Sequence, residues 1–251
     1  MRFKTTILLI LLLTISTELF AQKADPPKPD AVKLPAVAEI LAKYVKAIGG
    51  REANEKIKTR KMTGTVELAP LGVKGTFESF TAVEARSFTK MNLAGIGEFT
   101  EVFDGKASWS SNPIQGSREK SGVELTQAKL TGNFYREINL DKLFQKMELK
   151  GLEKVGDKDA YVIVATAEGA PPETWYFDTI SGLLLRSDTT VISPEGINPS
   201  KTYYDEMRAF DGALIPVKTR TLLGAVEINM TVTDVKNGVP IDDAIFTKPK
   251  Q

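Results

Sequence analysis

The chain of 251 residues contains no cysteine and no histidine, and each absence removes a branch of chemistry. Without cysteine there is no disulfide to staple the fold, no thiolate nucleophile, and no residue to carry the lipid of a membrane-anchored lipoprotein. Without histidine the chain lacks the side chain that most often moves protons near neutral pH. The two absences together take away the usual ligands of a zinc site. Charge of one sign is not in excess either, with 33 basic against 32 acidic residues. A nucleic-acid partner would need a concentrated basic surface, and this composition does not supply one. Long apolar runs are also missing. The stretch from Ile7 to Ile15 is shorter than the roughly 20 residues a membrane-spanning helix requires, and nothing later approaches that length.

That short run has a different meaning. It follows Arg2 and Lys4 and leads to Leu19-Phe20-Ala21, so residues 1–21 resemble a secretory signal peptide cut after Ala21. Removal would leave 31 basic and 31 acidic residues in a soluble, exported, periplasmic protein that is not a lipoprotein. Residues 22–36 form a linker in which Pro26, Pro27, Pro29 and Pro35 alternate with charged residues and favour an extended tether. Residues 37–251 are then expected to be a single domain, large enough to bury a substantial core.

What the rest contains is sheet. Gly151 to Arg186 reads as successive antiparallel strands rich in β-branched and aromatic residues, punctuated by Gly156-Asp157, Gly169-Ala170-Pro171-Pro172 and Ser181-Gly182. Further strands are predicted at 61–68, 73–83, 86–92, 97–103 and 106–110, with Asp104-Gly105 as a hairpin turn. Others follow near 201–208, 214–221 and 225–235, making about eleven in all. Helical spacing of Val37, Ile40, Leu41, Tyr44, Val45 and Ile48 predicts one amphipathic helix, stopped at Gly49-Gly50 before a second at 52–57. Two helical segments, 123–130 and 140–146, interrupt the strands and form a candidate lid, with Gly122, Gly132 and Asn133 as candidate hinge positions.

About eight strands make a barrel that its own side chains can just fill, so eleven leave room inside. Helices, a ligand, or both must occupy that room, because an empty apolar interior is costly. Alternation places Val66, Phe77, Phe99, Phe103, Trp109, Trp175, Phe177, Ile228 and Met230 on the inner face as candidate lipid-cavity residues.

Candidate catalytic and metal motifs are weak. Ser117-Arg118-Glu119-Lys120 has the Ser-x-x-Lys spacing of acyl-serine hydrolases but lacks their companion motifs. Glu98 with Glu101, and Asp205 with Glu206, fall on opposite faces of a strand and so make poor carboxylate pairs for glycoside hydrolysis. Asp157-Lys158-Asp159 lacks the glycine and distal glutamate of a calcium loop. Gly95-Ile96-Gly97 lacks the last glycine of a dinucleotide fingerprint, and Asn229-Met230-Thr231 lies inside a predicted strand. No enzyme, metal or cofactor is expected on these residues.

The order helix, strand run, helical interruption, strand run, together with GIGEFTEVFDGKASW, GLEKVGDKDAYVIVAT and WYFDTISGLLLR, resembles the periplasmic lipoprotein-carrier and outer-membrane lipoprotein-sorting (LolA-like) superfamily over about residues 37–246. The resemblance implies an α+β fold, an unclosed antiparallel β-barrel with helices covering or plugging its concave face. It also implies a hydrophobic cavity for acyl chains of lipoproteins or lipids, and envelope proteins that load or receive them, without chemical turnover. The alternative is an envelope protein–protein interaction module with a plugged barrel. Burial of about 0.8 kcal/mol per methylene would bind two fully enclosed acyl chains of some 30 methylenes by roughly 24 kcal/mol. That exceeds the roughly 18 to 21 kcal/mol at which non-covalent affinity saturates, so a carrier that releases cargo must enclose it only in part.

Overall fold

A computed structural model describes residues 34–69, 71–194 and 196–249, which lie in one compact unit starting at Leu34. The expected signal peptide and most of the linker lie outside the described residues. Helix α1 (Val37–Ala47) forms where the apolar spacing predicts it. Its N-terminal end is reinforced by Glu39, whose carboxylate accepts the Ala36 N–H at 3.0 Å, and Lys46 sits in the last turn, where the helix dipole favours a cation. Gly49 ends it with φ 102°, and a Cβ there would sit 1.9 Å from the Gly212 carbonyl oxygen. Glycine is required at that junction by both backbone conformation and space. Helix α2 (Gly50–Lys56) follows.

Among the described residues, thirteen strands then build one antiparallel sheet. The first six are β1 (Thr59–Ala69), β2 (Val73–Ala82), β3 (Arg86–Leu93), β4 (Gly97–Asp104), β5 (Ser108–Asn112) and β6 (Gly116–Glu119). The helical interruption comprises α3 (Gly122–Thr131), a 3-10 turn at Arg136–Ile138 and the single-turn α4 (Leu140–Leu143). The second run is β7 (Lys146–Val155), β8 (Lys158–Thr166), β9 (Glu173–Asp178), β10 (Leu184–Ser193), β11 (Gly196–Phe210), β12 (Ala213–Leu223) and β13 (Val226–Asn237). A 3-10 turn at Asp243–Phe246 closes the described chain.

The strand count corrects the expectation of about eleven. β6 contributes to the excess: it is a short edge strand of polar residues, and an edge can be held by backbone pairing to β5 without an apolar signature. Extended backbone over Ser117, Arg118 and Glu119 also means that the helical turn that Ser-x-x-Lys chemistry needs is not formed. The helix expected at 140–146 shortens to one turn because Phe144 takes an extended conformation, φ −117° and ψ 118°. Its ring is thereby buried edge-on against Trp175, with centroids 4.8 Å apart.

Each run is a meander, and the two are joined side by side where β1 pairs with β13. The remaining edges, β6 and β7, are the ends of the sheet, and the helical interruption is the chain that connects them. Ser87, Thr89, Glu101 and Phe103 of β3 and β4 line one cavity with Glu173, Thr189 and Val191 of β9 and β10. In a flat sheet β4 and β10, seven positions apart in strand order, would be separated by about 34 Å. The sheet is therefore curled into an open barrel-like shell.

The core sits on one side of that shell. Ile40, Leu41, Tyr44 and Ile48 of α1 pack with Leu140 and Phe144 against Ile163, Ala165, Trp175 and Phe177 of β8 and β9. Tyr44 and Phe177 rings stand 5.0 Å apart, and Trp175 and Phe177 6.3 Å apart. Such tilted and edge-on pairs each add about 0.5 to 1.5 kcal/mol beyond area burial. The Leu214 N–H donates to the Ile48 carbonyl at 3.0 Å and ties the end of α1 to β12.

Candidate functional site

The strand register fixes which side chains share the inner face. Val66 pairs with Met230 and Leu68 with Ile228, Gly64 lies opposite Phe77, Phe77 opposite Met91, and Met91 opposite Phe99. Phe103 lies opposite Ser87 on the same face. Trp175 and Phe177 belong to that face too, in register with Ile163 and Tyr161. Trp109 does not. It pairs with Val102, one residue out of phase with Phe103, because the β4–β5 turn brings Ser108 opposite Phe103. Alternation counted from Phe103 through that turn puts Trp109 inside; the register puts it on the outer face with Val102 and Phe88.

These side chains are not in one pocket. Trp175 and Phe177 are locked into the aromatic core under α1 and Phe144. Val66 and Phe77 are buried within the β1–β2 sheet face, where the missing side chain of Gly64 leaves space for the Phe77 ring. Gly132 is filled in the same manner by Phe103, whose ring lies 2.5 Å from where a Cβ would be. Gly132 has φ −75°, so it serves close packing of α3 on β4.

Three neighbouring cavities lie between the helices and the inner face. The first, about 190 Å³, is walled by Met62, Phe134, Ile138, Met207 and Ile215, with Arg60 at one side. The second, about 470 Å³, lies under α3 and is walled by Thr89, Glu101, Phe103, Ala128, Leu130 and Val191. The third, about 180 Å³, shares Leu184 and Tyr204 with the first and Thr131 and Thr189 with the second. Together they fall in the range of about 300 to 1,000 Å³ typical of small-molecule sites. Of the nine residues expected in a lipid cavity, Phe103 lines the second and Trp175 the third.

Polar groups cluster where the cavities meet. Arg136 donates through Nη2 to Glu173 Oε2 at 2.5 Å, and its Nε lies 3.5 Å from Glu137 Oε1. The guanidinium is stacked 5.3 Å from the Phe144 ring centroid and 5.9 Å from that of Trp175. Glu173 Oε2 also accepts the Trp175 indole N–H at 2.9 Å. Tyr44 donates to Glu137 at 2.6 Å, and Tyr204 shares a hydrogen bond with Ser187 at 3.0 Å. Burial alone would pull the Arg136 guanidinium down, but Glu137 and Glu173 more than offset it, and the net movement is upward. Burial, then the charge of Glu137, pushes the Tyr204 hydroxyl up to about 12 and moves that of Tyr44 well above its ordinary value. Both tyrosine hydroxyls therefore stay protonated.

Sequence reasoning missed Arg136, Glu173 and Tyr204. One signal was available: Glu173 and Trp175 are two apart on a strand, so an inward Trp175 implies an inward carboxylate, and an inward carboxylate needs a partner. That the partner is Arg136, in the helical interruption, is visible only in three dimensions. Among the described residues, no group of three Asp or Glu side chains is placed to hold a metal ion, and no helix is long and apolar enough to cross a membrane.

No protein-family model and no curated protein matches the sequence. Solved structures do match the fold. A DUF1329 family protein from Desulfovibrio piger superposes with a TM-score of 0.58 at 13% identity, covering 85% of this chain and 98% of its own. A LolA superfamily protein from Nitrosomonas europaea gives 0.56 at 14%, covering 86% and 99%. An outer-membrane lipoprotein-sorting protein domain from Vibrio parahaemolyticus gives 0.51 at 10%, covering 82% and 97%. At these identities the likeness speaks for architecture alone. The chain has the LolA-like fold, an open barrel-like antiparallel sheet with helices on its concave face.

Proposed function

We propose that the protein is an exported, periplasmic binding protein that carries or senses acyl chains of lipoproteins or lipids, without chemical turnover. The observation that carries this reading is the unequal filling of the shell. Helices and aromatics fill the inner face around Ile163, Ala165 and Phe177 of β8 and β9, while the inner face from β2 to β5 borders a 470 Å³ cavity beneath α3. An apolar chamber walled by Met62, Phe134, Met207 and Ile215 adjoins it through the third cavity. Methionine suits a flexible, featureless hydrocarbon because its unbranched side chain adapts its shape to it. Cavities of this size enclose hydrocarbon only in part, which keeps affinity below the level at which release would stop.

The plugged interaction module has one observation in its favour, the solid packing of α1 and Phe144 on β8 and β9. Native mass spectrometry of protein purified from a periplasmic extract separates the two. The carrier reading expects a co-purifying lipid or lipopeptide, or uptake of an added acylated probe. Repeated absence of both would leave the interaction module.

A further inference from the structure

We propose that Arg136 reads the carbonyl of an ester- or amide-linked acyl chain in the third cavity, so that the site prefers acyl derivatives to free fatty acids. This rests on the carrier reading above. Arg136 is an unusual residue to find in such a wall. Its side chain is only 16% exposed, its Nη2 is bound to Glu173, and its ring stacking fixes the plane of the guanidinium. Nη1 is closed off from solvent and has no hydrogen-bond partner among the described residues. A buried donor left without an acceptor is destabilising, so an acceptor supplied by a ligand would recover that loss. The residue lines the 180 Å³ cavity, along with Ser187, Thr202 and Tyr204.

The charge count selects the chemistry of the acceptor. Arg136 is faced by two carboxylates, Glu173 and Glu137, so the cluster already carries one negative charge in excess. A free fatty acid would bring a third carboxylate into this partly buried group, whereas an ester or amide carbonyl offers a lone pair and no charge. The nearby hydroxyls pair in part, Ser187 with Tyr204 and Thr202 with Thr221, each at 3.0 Å, and as neutral donors they make weaker hydrogen bonds than a guanidinium. They leave the guanidinium as the strong donor. Geometry then orients the ligand. Leu184 and Tyr204 form a wall common to this cavity and the apolar chamber beyond it, so a carbonyl held at Arg136 directs its hydrocarbon among Met62, Phe134, Met207 and Ile215.

The test compares binding of methyl laurate, sodium laurate and dodecane to the full-length mature protein. The fluorescence of Trp175, which touches the same cavity, serves as the readout. Wild type should bind methyl laurate about tenfold more tightly than either of the other two, as expected for one charge-assisted hydrogen bond. The double variant Arg136→Met with Glu173→Gln removes the pair together and leaves no buried carboxylate alone. It should bind methyl laurate and dodecane equally well. Arg136→Lys keeps the ion pair but loses the planar fork, and it should lose the same preference if the double variant does not fold. Unchanged ester preference in the variant that folds, or tighter binding of laurate by wild type, would overturn the assignment while leaving the carrier reading intact. Failure of wild type to bind any of the three would overturn both.

Discussion

The two sides of this shell are built from the same kind of strand and differ in what faces them. At β8 and β9 the inward residues Ile163, Ala165, Trp175 and Phe177 meet α1 and Phe144 in one continuous buried cluster. At β2 to β4 the inward face mixes Phe77, Met91, Phe99 and Phe103 with Ser79, Thr81, Ser87, Thr89 and Glu101, and Thr81, Ser87, Thr89, Glu101 and Phe103 border a cavity. A helix docks where large apolar side chains repay its ordering. Where hydroxyls line the face, water or a ligand satisfies them at less cost than an apolar helix would. The open half thus coincides with the stretch where hydroxyls and a carboxylate interrupt the apolar inward face.

The largest effect that would sharpen this contrast is truncation in the filled half. Trp175→Ala or Phe177→Ala should cost about 3 to 5 kcal/mol in urea unfolding, because neither ring has solvent to fall back on. Phe99→Ala, on the open half and only partly buried, should cost about 1 kcal/mol or less. Equal losses at Phe99 and Phe177 would erase the distinction. Gly49→Ala should cost about 2 to 4 kcal/mol in the same measurement, since it forces a non-glycine residue to φ 102° and a methyl group into the Gly212 carbonyl.

A smaller effect is set by pH. The Tyr204 hydroxyl lies at about 12 in the folded chain against about 10 when unfolded, so its contribution is intact below pH 10 and falls away as pH climbs towards 12. The loss should reach about 2 to 3 kcal/mol at the upper end, and Tyr204→Phe should flatten the decline in Tm between pH 9 and about 11. An unaltered decline in that variant would assign alkaline loss to Tyr44 or to groups outside the cavity. The smallest effect belongs to the surface. Lys56→Ala breaks an exposed pair with Glu52 and should move stability by less than about 0.5 kcal/mol.

Much of the architecture was legible before the fold was known. The α1 apolar spacing, the Gly49 stop and the turns at Asp104-Gly105 and Gly156-Asp157 are local signals, and local signals survive folding. β6 was not legible, since an edge strand can be polar throughout. The inward set was partly legible. Alternation is reliable along one strand but not through a hairpin, which is how Trp109 was assigned to the wrong side. The polar site was hardly legible at all, because Arg136 and Glu173 are separated by 37 residues and neither belongs to a recurring motif.

The sequence by itself determined that strands joined by tight turns would dominate, that one amphipathic helix would seek a sheet, and that cysteine and histidine chemistry would be excluded. These are consequences of side-chain period, turn stereochemistry and composition, all of which act within a few residues. Only the tertiary structure decided that β1 would pair with β13, that α1 would settle on β8 and β9, and that cavities would remain under α3. Those outcomes depend on the sheet's curvature and on which distant faces meet, and the free energy that selects among them is shared by residues far apart in the chain.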